Sequence, residues 1–264
     1  MLVFAFALLH LATAEPIARL AAQLVAARCG STAIVFADSS WRALALETAR
    51  ELVRFPGNQC AVLWLWSCAP SNATFAHPRL IGWRECARAA GGEWGSRSYF
   101  AQISQRVPRL AALAAALPRS AVHGVSLIDA DVAVFRNVLA RFERSNRTFV
   151  GQRETPCASE PSHSCANGGV YWVRRSVRGR RLLWRVAHLM RALGIPDQDA
   201  LDIALAAPDC DALYLDALRY ANGHTMQYDA DFDVSRAHLV HANWLRGLRA
   251  KERALAHVRR TAPV

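Results

Sequence analysis

Continuous apolar runs and helix-spaced apolar stripes follow one another along this chain. Thr32-Ala-Ile-Val-Phe-Ala-Asp38 has strand length and closes on an acid. Ala61-Val-Leu-Trp-Leu-Trp66 is a second such run, with a turn signal behind it at Pro70-Ser71-Asn72. Between them, Trp41 to Val53 carries Leu44, Leu46 and Leu52 at helical spacing. Leu80-Ile-Gly-Trp83 is a weaker third strand. Phe100, Ile103, Val107, Leu110, Leu113 and Leu117 recur at three- and four-residue steps and predict a long helix, which Pro108 must kink or restart. Val125 to Phe135 reads as a strand interrupted by Asp129 and Asp131, and Thr148-Phe-Val-Gly151 and Gly169-Val-Tyr-Trp-Val173 as two more strands. Leu182, Leu183, Val186, Leu189, Met190 and Leu193 form a helical stripe that stops at Gly194 and Pro196. Asp197 is expected to cap the next helix, which runs through Ala206. Ala212 to Leu218 fits either a strand or a helix, and Asn222 to Val234 reads as a polar loop ahead of His238 to Gly247.

Strands alternating with helices predict an α/β, Rossmann-like domain with a mainly parallel sheet covered on both faces. Neither an internal repeat nor a long linker divides the chain, so one domain is expected over residues 30–250, with 251–264 as a basic tail. Ligands of such sheets collect at the carboxyl ends of the strands, where the Asp129/Asp131 turn lies. A hydrophobic content of 53% excludes a disordered chain. The net charge of +11 is carried almost wholly by arginine, since Lys251 is the only lysine, and it suits a phosphate-bearing partner. The arginines are scattered, without aromatic interleaving or a helix-turn-helix or zinc-finger pattern, so no nucleic-acid partner is expected.

The opening run Met1 to Ala14, with the small residues Ala12-Thr13-Ala14 before Glu15-Pro16, reads as a secretory signal or a truncated membrane anchor; a truncated gene model or a buried first helix fits it as well. Asn72-Ala-Thr74 and Asn146-Arg-Thr148 are acceptable N-glycosylation acceptors. Seven cysteines suit an oxidising compartment and leave at least one unpaired. Cys157 and Cys165 bracket a short loop they could close, and Cys86 is the expected partner of either Cys60 or Cys68.

Two carboxylates one residue apart at the rim of an apolar strand can hold a divalent cation while leaving room for phosphate oxygens. An acidic turn that merely ends a strand is the plainer alternative, so the companion motifs decide. Four segments stand in order: Leu127-Ile-Asp-Ala-Asp-Val132, Ala166-Asn-Gly-Gly-Val-Tyr171, Pro196-Asp-Gln-Asp-Ala200 and His241-Ala-Asn-Trp-Leu-Arg-Gly247. Together they resemble the nucleotide-diphospho-sugar transferase family of GT-A glycosyltransferases, over about Ser98 to Gly247.

The resemblance implies a GT-A fold, a nucleotide-sugar donor (usually a UDP-sugar) and Mn²⁺ or Mg²⁺. It assigns the metal to Asp129, Asp131 and His241, with Asp129 also near the ribose and His238 as a competing ligand. Asn167 and Gly168 would hold hydroxyls of the donor sugar, and Arg246 and Gly247 would meet the diphosphate. Asp197 and Gln198, the candidate catalytic pair, would face donor and acceptor from the opposite wall, where a carboxylate can orient or deprotonate a hydroxyl, with Asp199 a second acid close by. Arg106 falls where relatives carry a donor-binding base. Asp38, at the end of the first strand, is a further candidate for the base or ribose. The chain departs from the family in having Phe135-Arg136-Asn137 where a proline and tryptophan often follow the acidic strand.

The expected activity is therefore transfer of a sugar to a hydroxyl of a glycan or glycoprotein, with retention of configuration, in the secretory pathway or Golgi lumen. A sugar-binding protein without turnover is the alternative. A sugar nucleotidyltransferase would want a glycine-rich loop where Ala37-Asp38-Ser39-Ser40-Trp41 stands.

Overall fold

The computed structural model describes residues 15–67, 77–86, 97–118, 120–154 and 165–262. In chain order these form α1 (15–26), β1 (Ser31–Asp38), α2 (Arg42–Val53), β2 (Gln59–Trp66), β3 (Leu80–Glu85), α3 (Arg97–Ala116), β4 (Gly124–Ile128), β5 (Val132–Val134), α4 (Val138–Arg144), β6 (Phe149–Arg153), β7 (Ala166–Arg174), α5 (Val177–Leu193), α6 (Asp197–Leu205), β8 (Ala212–Tyr214), β9 (Tyr220–Asn222), α7 (Gly223–Tyr228), β10 (Leu239–His241) and α8 (Leu248–Thr261). The opening run and Asn72, Cys68 and Cys157 lie outside the described residues.

Seven strands make one sheet in the order β3-β2-β1-β4-β7-β6-β8, and only β7 runs against its neighbours. Every residue of β1 and β2 is buried, which is why they read as unbroken apolar runs. Successive side chains point to opposite faces. Ile34 and Phe36 therefore pack in a core with α1, α3, α5 and α6, while Ala33, Val35 and Ala37 pack in another with α2 and α4. Pro108 does not restart the helix: α3 runs through it as one element.

The apolar run around the two acids is divided between two sheets. β4 belongs to the large sheet, and β5 pairs with β10 in a three-stranded sheet of order β5-β10-β9. The acidic turn is thus the crossing point between sheets.

Several expectations are corrected. Asp197 is the first residue of α6 and does not cap it; Pro196 takes the cap position. Asn222 to Val234 contains a helix, α7, whose Thr225 N–H donates to the Asn222 side chain at 2.9 Å. Residues 251–261 are most of α8 and not a tail: Leu255 and Val258 are buried against the small sheet, and Arg259 bonds Glu47 and Glu51 of α2 at 2.7 Å each. Helix α1 buries Ile17, Leu20 and Leu24, so the domain extends upstream of residue 30. Cys60 pairs with Cys29, their Cα atoms 5.6 Å apart. The parallel register that sets Ser31 beside Gln59 brings the two strand starts together. Cys86 and Cys165 are also disulfide-bonded, and Cys210 is free.

Candidate functional site

Three segments meet where the sheets divide. The Asp129 N–H donates to the Gly169 carbonyl at 2.7 Å, tying the end of β4 to the start of β7. The Ala242 N–H donates to the Asp131 carbonyl at 2.9 Å, tying the acidic turn to the end of β10. The His241 side chain then stands over both acids, its Nε2 3.5 Å from Asp129 Oδ2 and 3.5 Å from Asp131 Oδ1. One ligand atom from each residue lies within 4.8 Å of the others, a group able to hold a metal ion. Gly169 makes this approach possible, since a Cβ there would collide with the Asp129 carboxylate and lie 2.6 Å from His241 Cε1.

The histidine is oriented from behind. Gln152 donates through Nε2 to the Tyr220 carbonyl at 2.9 Å, which leaves its Oε1 facing His241 Nδ1 at 3.0 Å. Nδ1 must therefore carry a proton, and in the neutral ring Nε2 presents a lone pair to the two carboxylates. That buried Nε2 lacks a hydrogen-bond partner. This is the arrangement of a metal-ligating imidazole held by an outer partner. Without a cation the conflict falls on the proton. Burial would lower the imidazole pKa, but the adjacent Asp131 and Asp129 carboxylates raise it to about 9. Burial likewise opposes ionisation of Asp131, yet Lys251 and His241 hold it well below the usual carboxylate range. Asp129 is lowered too, against its burial, chiefly by Arg106.

Two cations frame the acids. Lys251 Nζ lies 2.5 Å from Asp131 Oδ2 and 5.3 Å from the Trp41 ring centre. Arg106 is buried, with one terminal nitrogen on Asp129 and the other 2.6 Å from Asp197 Oδ2. Of the acids opening α6, Asp197 turns inward and Asp199 stays exposed. Burial pushes the Asp197 carboxyl up despite Arg106.

The remaining candidates divide. The Gly168 N–H donates to Gln198 Oε1 at 3.1 Å, so α6 closes over the glycine turn. Asn167 is turned into the protein: its Oδ1 accepts from Gly169 N at 2.8 Å and its Nδ2 donates to Glu154. Glu154 also accepts from Trp244 Nε1 at 2.8 Å and Asn243 Nδ2 at 3.3 Å, which makes it the clasp between the glycine turn and the segment after His241. Arg246 and Gly247 are exposed, and Gly247, at φ +79°, opens α8 without a side-chain cap. His238 faces the Tyr220 hydroxyl at 3.2 Å, outside the metal-competent group. Asp38 Oδ1 accepts from Ser40 N, Ser40 Oγ and Trp41 N at 2.8, 2.5 and 3.2 Å, so it serves its own turn. Gln152, Glu154 and Lys251 were not expected. Only Lys251 carried a signal, as the sole lysine of an arginine-rich chain.

Comparison with known proteins bears on the fold and the family. The solved structure of the glycosyltransferase GlyE from Streptococcus pneumoniae TIGR4 superposes with a TM-score of 0.52 at 13% identity, over 87% of this chain and 60% of that one. At that identity the likeness is one of fold, and the present chain spans only about three fifths of that protein's length. Among curated protein sequences none matches. Residues 91–255 match the sequence model described as nucleotide-diphospho-sugar transferase, more than half of the 264 residues, and the chain therefore belongs to that family.

Proposed function

We propose that the protein is a metal-dependent glycosyltransferase that moves a sugar from a nucleoside-diphosphate donor, a UDP-sugar, to a hydroxyl of a glycan or glycoprotein. The observation that carries this reading is the convergence of Asp129, Asp131 and the lone pair of His241 Nε2 at the carboxyl edge of the sheet. Two hard carboxylates and one imidazole suit Mn²⁺ or Mg²⁺. A divalent ion held there supplies charge neutralisation for a departing diphosphate.

The chain's own groups do the rest. Lys251 sits beside Asp131, and the uncapped start of α8 behind Gly247 presents backbone N–H groups to an anion. Arg246, exposed in the same turn, is free to fork onto phosphate oxygens. Gln198 and Gly168 form the wall where the donor sugar would sit, and the Arg106–Asp197 pair fixes Asp129 in place from beneath. Asp197 is committed to Arg106 and is not a free nucleophile. Retention through front-face displacement, with the leaving phosphate taking the acceptor proton, is the mechanism consistent with that commitment.

The Cys29–Cys60 disulfide and the exposed acceptor Asn146 support a luminal location in the secretory pathway, such as the Golgi. Among the described residues no helix is long and apolar enough to cross a membrane.

The test is UDP release from a panel of UDP-sugars, with and without Mn²⁺. Mn²⁺-dependent release from at least one donor is expected. A silent panel with intact UDP binding would instead favour a sugar-binding protein without turnover, and NMR of a product with inverted linkage would overturn retention.

A further inference from the structure

Outside the group able to hold a metal ion, the turn after His241 carries an aromatic surface. Trp244 is 45% exposed and Tyr228 70% exposed, and the half-buried His224 ring stands between them, 5.1 Å from the Trp244 ring centre at 67° and 5.0 Å from that of Tyr228 at 52°. Large rings do not usually sit in water in a row. The row is also built. Trp244 Nε1 is fixed to Glu154, the Asn243 side chain accepts from Gly223 N at 3.0 Å, and Gly223 lacks the Cβ that would press on Trp244 N at 2.9 Å. The indole is thus pinned by its polar edge while much of its surface stays open. Polar groups border it: Glu154, Asn243 and Gln227, the last donating to the Gly223 carbonyl at 2.8 Å.

We propose that the open face of Trp244, walled by the tilted rings of His224 and Tyr228, is a stacking site for a sugar ring of the acceptor. This rests on the transferase reading above, because it places the platform on the segment that carries His241. A pyranose has an apolar C–H face and a rim of hydroxyls, which matches exposed rings edged by a carboxylate and amides. Continuity with the candidate site is covalent and short. Trp244 lies three residues beyond His241, and the Glu154 carboxylate that holds its indole also holds Asn167 of the glycine turn. A sugar stacked there would stand next to the space assigned to the donor.

The probes are methyl β-D-galactopyranoside, methyl β-D-glucopyranoside and methyl β-D-xylopyranoside, observed by saturation-transfer NMR with the full chain. At least one should receive saturation, concentrated on the protons of one ring face. Trp244→Ala should weaken that binding roughly tenfold and Tyr228→Ala roughly threefold, within the range of aromatic stacking contributions. Trp244→Phe, which keeps a ring and drops the bond to Glu154, should retain most of it. If Trp244→Ala does not fold, Tyr228→Ala decides, since so exposed a side chain is not needed for folding. No transfer to any of the three glycosides, or transfer unchanged in both alanine variants, overturns the platform. Mn²⁺-dependent UDP binding by calorimetry separates the two readings: its presence without sugar binding sinks the platform alone, whereas sugar binding without UDP binding sinks the transferase reading and, with it, the acceptor as occupant, leaving only a sugar-binding surface.

Discussion

β1 and β4 lie side by side and parallel, each is fully buried, and each is followed or closed by an acid at the same edge of the sheet. From the sequence Asp38 and Asp129 look alike. Their partners do not. Asp38 Oδ1 is occupied within three residues, by Ser40 and Trp41, where it anchors the start of α2. The oxygens of Asp129 and Asp131 are met instead by Arg106, His241 and Lys251, from α3, β10 and α8. A strand-end acid becomes a site when distant elements are brought to it and a buried ring nitrogen such as His241 Nε2 is left facing it; otherwise it is a cap.

The comparison breaks most visibly at Asp131. Asp131→Asn removes a negative ligand and leaves Lys251 facing a neutral amide, so Mn²⁺-dependent UDP binding should fall by roughly a hundredfold or more, beyond the usual cost of an outer-shell change. Circular dichroism should show the fold retained. Calorimetry giving an affinity within threefold of the wild type would remove Asp131 from the site.

Next in size is a pH effect that only the β4 side should show. The His241 pKa stands near 9 without a cation, above the ordinary histidine value of about 6.5. Its proton therefore stabilises the metal-free protein fully below about pH 6.5, and that contribution is lost as pH rises through about 9. A metal ion must displace the same proton. Apparent Mn²⁺ affinity, followed by the rise in Tm on adding the ion, should thus increase roughly tenfold per pH unit between about pH 6.5 and 8.5. A flat profile would show that His241 is not a ligand.

The legible part of the molecule was whatever one element could state by itself. β1 and β2 were plain because both faces of each strand are buried and the apolar run is unbroken. The Asp129/Asp131 turn was legible as an acid pair on an apolar support, although its role as a crossing between two sheets depends on β10, more than a hundred residues later. Helix α7 is illegible in the sequence because six residues give no periodicity to read, and its start is signalled only by the Asn222 cap. Helix α8 looks like a tail in the sequence because its apolar contact is narrow, Leu255 and Val258, and the rest of its anchoring is the ion pairing of Arg259. Gln152 gives no sequence signal for supporting a histidine: nothing local marks a glutamine whose partner is 89 residues away.

That glutamine gives a smaller, sharper test. Gln152→Leu removes the acceptor that fixes the Nδ1 proton and frees the ring to turn, while Asp129 and Asp131 remain. Loss of such an outer partner commonly costs roughly 10- to 100-fold in metal affinity. Gln152→Glu keeps an acceptor at that place and should recover much of the loss, which a purely structural role for the side chain would not produce.

The smallest effect belongs to Asp38, and it is where the contrast between the two strand ends is most exposed to error. If Asp38 is a cap, Asp38→Ala deletes the acceptor for Ser40 and Trp41 at the start of α2 and should cost about 1 kcal/mol, the usual loss for a capping side chain. In a chain of this size that corresponds to a fall in Tm of roughly 2–4 °C. Mn²⁺-dependent UDP binding should stay within about twofold, because a change of that order is all a slightly loosened turn next to Trp41, and hence Lys251, can transmit. A loss of binding larger than tenfold with an unchanged Tm would reverse the assignment: Asp38 would then touch the nucleotide, and the two strand ends would be parts of a single site.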